Sequence, residues 1–127
     1  LPELDVVLYD RRGYARSRGA TLSRHLHEQV GDLLRIVAWA GTDDVCLVGH
    51  SLGGLLAMHA ALAEPALVTC LGVWEPPLPW LDWYATAIDR KAGTIGEIED
   101  PSAAAEAFLR SMVGDRLWER MPSSMQE

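Results

Sequence analysis

The stretch Val45-Cys46-Leu47-Val48-Gly49-His50-Ser51-Leu52-Gly53-Gly54-Leu55-Leu56 decides the fold. Val45 to Gly49 is a continuous apolar run preceded by Asp43-Asp44, a pattern that suits a strand covered on both faces. From Leu52 the apolar spacing becomes helical, through Leu55, Leu56, His59 and Leu62, until Pro65 blocks continuation. Gly49, Gly53 and Gly54 mark the junction between the two patterns. Residues 45–63 contain no Asp, Glu, Lys or Arg, which by length alone would fit a membrane-spanning helix. The central glycines break such a helix, and a buried strand followed by a buried helix explains the same apolarity, so no membrane association is expected.

Working outward, Leu4 to Tyr9 is a short β-branched apolar run and reads as a strand, followed by an aperiodic loop from Asp10 to Gly19. Leu22, Leu26, Val30, Leu33, Leu34 and Val37 follow the 3.6-residue period. The spacing predicts a helix over Thr21 to Ala40, with Thr21 or Ser23 as N-cap and Gly41 as stop. A third apolar run, Leu67 to Trp74, ends at Glu75-Pro76-Pro77. Strand, helix, strand, helix, strand implies an α/β fold with a parallel sheet and right-handed crossovers. Beyond Pro79 the pattern changes to helices at Trp80 to Lys91 and Pro101 to Val113, broken at Gly93 to Gly96, with a third opening near Leu117 to Arg120. The expected organisation is therefore a core at residues 1–77 and a helical segment at 78–127.

With 127 residues the chain suffices for one domain or part of one, and 49% hydrophobic residues allow a real core. Eleven Lys+Arg against 18 Asp+Glu give a net charge of −7, which opposes the phosphate neutralisation that nucleic-acid binding requires. Cys46 and Cys70 lie in the second and third apolar runs and read as buried free thiols, consistent with a reducing compartment such as the cytoplasm. Leu1 is not Met, so the natural start is expected to lie outside this sequence. His25 and His27 read as surface residues and His59 as a hydrogen-bonded core residue; none has metal-ligand spacing, and no metal or cofactor is expected. Arg11, Arg12, Arg16 and Arg18 read as a solvated loop ahead of an anion site. Trp74, Trp80, Trp83 and Tyr84 read as packing residues ahead of an apolar pocket.

The candidate chemistry is at Ser51. Gly49-His50-Ser51-Leu52-Gly53 is G-x-S-x-G placed where a predicted strand meets a predicted helix. Such a sharp turn strains its central residue, and small residues two before and two after Ser51 are expected to relieve the crowding. The turn lifts the serine hydroxyl above the carboxyl edge of the sheet at a helix N-terminus. There the Leu52 N–H and the helix dipole can stabilise the oxyanion of a tetrahedral intermediate. His50 is expected to point away from the nucleophile and to pack behind the elbow.

In these residues the chain resembles the α/β-hydrolase superfamily, in the serine branch whose elbow is spelled GHSLGG, here Gly49 to Gly54. Asp10-Arg11-Arg12-Gly13-Tyr14-Ala15-Arg16-Ser17 is similar to the family's D-x-R-G-x-G-x-S segment, with Ala15 in place of the usual glycine. Leu67 to Pro77 resembles the sixth strand and its exit, and Trp80 onward the helical cap, so the likeness covers essentially the whole chain as a partial α/β-hydrolase fold.

The resemblance implies a serine hydrolase acting on an ester or related small acyl substrate through an acyl-enzyme, with Ser51 as nucleophile and Leu52 as oxyanion donor. It also implies parts not found here. The family closes its triad in the order serine, acid, histidine, whereas the last histidine is His59, eight residues after Ser51. Asp82, Asp89, Asp100 and Asp115 follow the serine, but all lie in the cap-like region, and none is assigned as the acid. In the family the fourth and fifth strands are separated by the third, which has no counterpart in this sequence. The runs at Val6–Tyr9 and Val45–Val48 should then stand about 9–10 Å apart, twice the usual spacing, with no ladder bonds between them. The chain alone is expected to be inactive and prone to aggregate. A non-catalytic binding or interaction fragment is the alternative reading.

Overall fold

The computed structural model describes residues 4–23, 25–82, 84, 95 and 97–126. The chain divides into two compact units, Leu1–Pro77 and Leu78–Glu127.

In the first unit the helix α1 spans Leu26–Ala40, the strand β1 Val45–His50, the helix α2 Leu52–Ala63 and the strand β2 Val68–Trp74. β1 and β2 pair in parallel with α2 as their crossover, as the alternating pattern requires. The register runs from Val45↔Val68 through Cys46↔Cys70 and Leu47↔Leu71 to His50↔Trp74, with an irregularity between Val45 and Cys46. α2 lies against both strands and α1 packs on α2. The core joins Val30, Leu33 and Val37 of α1, Leu47 of β1, and Leu56, Ala57 and Ala60 of α2. Leu56 is 1% and Ala60 0% exposed, so removing the Leu56 side chain should cost about 2–5 kcal/mol.

Three sequence expectations need correction. Leu4 to Tyr9 is not a strand: among the described residues the sheet has two strands, and this run forms no ladder with β1. A strand exists through its hydrogen-bonded neighbour, and without one among the described residues Leu4, Val6 and Leu8 are exposed while Tyr9 packs against the core. Nor is β1 covered on both faces. Leu47 faces α2 and is buried, but Val48, on the opposite face, is 82% exposed. On that open face Cys46 and Cys70 are exposed rather than buried, because the helices described cover only the other side.

The third correction concerns α1, which begins at Leu26, five residues later than the periodicity suggests. Leu22 is half exposed and gives the expected first turn nothing to pack against. Ser23 instead uses its hydroxyl locally: Oγ accepts from His25 N–H at 3.1 Å and donates to the Glu28 carboxylate. That hydrogen bond lowers the Glu28 pKa. Gly41 ends the helix in the left-handed conformation at φ 66°, as anticipated.

In the second unit the described helices are α3 at Pro101–Val113, α4 at Asp115–Trp118 and α5 at Ser123–Gln126. Asp100 caps α3, accepting from Ala103 N–H at 2.9 Å, with Pro101 at the first helical position. Arg110 holds α3 to α4 by pairing with Glu106 and Asp115 and lying over the Trp118 ring. Most of the helix expected over Trp80 to Lys91 lies outside the described residues. No described helix is long and apolar enough to cross a membrane.

Candidate active site

Ser51 sits between β1 and α2 with no residue to spare on either side. Its backbone is at φ 52°, ψ −125°, a conformation that L-residues rarely adopt and that costs of order 1–3 kcal/mol. Two bonds hold it there. Ser51 N–H donates to Trp74 O at 2.8 Å, tying the turn to the end of β2, and Ser51 O accepts from Leu55 N–H at 3.1 Å, the first helical bond of α2. The N–H groups of Leu52, Gly53 and Gly54 therefore come ahead of the α2 ladder, at the positive end of its dipole. The Ser51 side chain makes no capping bond to the helix.

The glycines divide the work differently from the sequence expectation. A Cβ on Gly49 would overlap the Gly53 carbonyl and lie 2.5 Å from Gly54 N. On Gly54 it would stand 3.0 Å from Gly49 O and 3.3 Å from Pro76 Cβ. On Gly53 it would meet nothing within 4 Å. The close approach thus requires glycine before the serine and at position 54, while position 53 contributes its backbone and not an empty space.

His50 does not pack behind the elbow. Its side chain is 68% exposed, and Nε2 stands 3.7 Å from a Glu75 carboxylate oxygen. Glu75 itself escaped the sequence reading, which took Glu75-Pro76-Pro77 only as the end of a strand. It directly follows β2 at the carboxyl edge of the sheet and holds φ 47°, a second strained residue beside the elbow. Among the acids singled out from sequence, Asp100 is occupied as a helix cap and Asp115 pairs with Arg110, while Asp89 lies outside the described residues.

His59 is half buried on α2, eight residues past the serine, which at 1.5 Å per residue is about 12 Å along the helix. It lines a cleft of about 540 Å³ against the first half of α1, where the rings of His25 and His27 stack at 5.5 Å between centroids. Among the described residues no group of three or more His, Cys, Asp or Glu side chains is placed to hold a metal ion.

The arginine-rich loop is anchored to α1 by Arg11 and Arg12, while Arg16 and Arg18 are exposed to solvent as expected. Arg12 grips Asp32 of α1 through two hydrogen bonds of 2.5 and 2.6 Å, and Arg11 donates to Gln29 at 2.7 Å. Arg16 pairs with Asp10, and Arg18 donates to Ala15 O. The Arg12 guanidinium lowers the Asp32 pKa, with Arg35 adding to the effect. Ala15, where the resembling segment has glycine, adopts φ 39°, the left-handed region in which glycine is at ease. Trp74 and Trp80 are largely exposed, Tyr84 is half buried, and Trp83 lies outside the described residues.

Comparison with known proteins bears on this geometry. The sequence pattern of the alpha/beta hydrolase family matches residues 2–127. Similar curated proteins include the carbamate hydrolase RutD of Azorhizobium caulinodans, 37% identical over 68 residues, 54% of this chain and 26% of that protein. The RutD of Variovorax paradoxus is 37% identical over 76 residues, 57% of this chain and 29% of that protein. The lipase LipV of Mycobacterium tuberculosis is 31% identical over 109 residues, 86% of this chain and 38% of that protein. The matches thus span roughly a quarter to two fifths of the length of these relatives. No solved structure matches the chain.

Proposed function

The chain belongs to the alpha/beta hydrolase family, and from that premise we propose that it carries the nucleophile of a serine hydrolase acting on esters or related acyl compounds. The observation that carries this reading is Ser51, held at φ 52° between the end of β1 and the start of α2. Strain of this kind persists only where the surroundings impose it, and here the Trp74 carbonyl and the bare Gly49 do so.

In the proposed reaction Ser51 Oγ attacks the acyl carbon, its proton passes to a base, and the carbonyl π bond opens to an oxyanion facing the Leu52 N–H. Collapse, with the base returning that proton to the leaving oxygen or nitrogen, expels the alcohol or amine and leaves an acyl-enzyme that water hydrolyses to the free acid and serine. The names of the relatives support the acyl class, since lipase and carbamate hydrolase chemistry both proceed at a carbonyl bearing a leaving group. His59 is poorly placed as the base, about 12 Å along α2 from the serine. The base and the second oxyanion donor are assigned to no residue of this chain.

A non-catalytic binding or interaction fragment is the second reading. Hydrolysis of an activated aryl ester by the protein from the complete reading frame, against its Ser51→Ala variant, decides between them. Turnover abolished by the substitution supports the hydrolase, and no turnover above buffer supports the binding fragment.

A further inference from the structure

Two residues at the carboxyl edge of the sheet hold backbone conformations that L-residues rarely adopt: Ser51 at φ 52° after β1 and Glu75 at φ 47° after β2. Glu75 is fixed against the elbow on both sides. Before it, Trp74 O accepts from Ser51 N–H at 2.8 Å. After it, Pro76 packs on Gly54 in the first turn of α2, its Cβ 3.3 Å from where a Cβ on that glycine would stand. Glycine is the residue at ease at positive φ, yet this position carries a carboxylate. Strain retained in this way gathers at functional sites, and in parallel sheets ligands bind beyond the carboxyl ends of the strands.

A serine nucleophile must give up its proton, and a nitrogen base that turns cationic on taking it needs an anion to orient and stabilise it. Within the first unit the acidic residues that follow the serine are Glu64 and Glu75. Glu64 closes the far end of α2, about 18 Å along the helix from Leu52. Glu75 stands beside the serine with its side chain 71% exposed, and its pairing with His50 Nε2 at 3.7 Å is longer than a hydrogen bond, which leaves the carboxylate able to take another donor. Resting on the reading of Ser51 as nucleophile, we propose that Glu75 is the positioning residue of that site. Its carboxylate accepts a hydrogen bond from the nitrogen base that serves Ser51, fixes the orientation of that base and stabilises the cation formed when the serine proton arrives. The proton passes from Ser51 Oγ to the base and then to the leaving group, and Glu75 stays ionised throughout.

The test uses the protein from the complete reading frame and an activated aryl ester, with kcat and KM followed against pH for wild type, Ser51→Ala, Glu75→Gln, Glu75→Asp and Glu75→Gly. Glu75→Gln should lose about 10²–10⁴-fold in kcat with KM little changed. Because the neutral amide no longer stabilises the protonated base, the acid limb of kcat/KM should move to lower pH. Glu75→Asp should recover part of the loss. Glu75→Gly removes the strain together with the carboxylate, so it should lose as much activity as Glu75→Gln while unfolding at a higher temperature than wild type, which separates the loss from misfolding. Wild-type kcat in Glu75→Gln and Glu75→Gly, with Ser51→Ala inactive, overturns the proposal and leaves Ser51 as the nucleophile. A rise in KM alone, or an acid limb that does not move, overturns it as well. Turnover that survives Ser51→Ala, or no turnover at all, overturns both.

Discussion

Gly49 presses its bare Cα against the carbonyl of Gly53, so closely that a methyl group there would overlap it, whereas a methyl group on Gly53 would meet nothing within 4 Å. The two glycines of one motif therefore have unequal roles. Gly49→Ala should destabilise the first unit by about 1–3 kcal/mol or more, because the obstacle is backbone and cannot rotate away. Gly53→Ala should be neutral or stabilising by up to about 1 kcal/mol, since alanine is the better helix former. Urea unfolding midpoints of the two variants measure the difference.

Strain at Ser51 predicts a second asymmetry. Glycine tolerates φ 52° and alanine does not, so Ser51→Gly should be more stable than Ser51→Ala by about 1 kcal/mol although both lose the hydroxyl. Ala15→Gly, at φ 39°, should gain a similar amount. Thermal unfolding of the three variants and wild type supplies the comparison.

The Arg12–Asp32 clamp makes the loop sensitive to acid. Its folded pKa is lowered chiefly by the Arg12 hydrogen bonds, so the contribution is complete above the unfolded value of about 3.9 and is lost as pH falls below it. Asp32→Asn should lower stability at pH 6 and flatten the decline between about pH 4 and pH 2. Unfolding midpoints of both proteins across that range test the sign.

Much of the first unit was legible because its punctuation is local. Gly49 and Pro65 bracket α2 and Gly41 ends α1, each through a backbone constraint written in the residue itself, and in the second unit Pro101 opens α3 in the same way. What was not legible depends on partners distant in sequence. Leu4 to Tyr9 has the composition of a strand but no strand to pair with among the described residues, and Cys46 and Val48 look like core residues although the described helices cover only one face of β1. Ser23 resembled an N-cap, yet its bond to Glu28 is made two residues ahead of the first helical turn's cap at His25. The elbow was found from glycine spacing, but Gly53's lack of crowding and the position of Glu75 beside His50 needed coordinates.

The 127-residue chain by itself should hydrolyse an activated ester no faster than its Ser51→Ala variant. A serine hydroxyl is a weak nucleophile until a base takes its proton, and loss of the histidine alone costs on the order of 10⁶ in kcat in a serine protease. Loss of one oxyanion donor costs roughly 10²–10³, so either deficit is sufficient. Ser51-dependent turnover would identify a local base, with His59 the first residue to substitute.

The central claim, that Ser51 forms the acyl-enzyme, is tested most directly by trapping it. Protein from the complete reading frame is mixed with an activated aryl ester, quenched in acid during the first turnover, digested and mapped by mass spectrometry. The account predicts a single acyl group on the peptide containing Ser51, absent from the Ser51→Ala variant. Turnover with the acyl group on another residue, or turnover that survives Ser51→Ala, would contradict it.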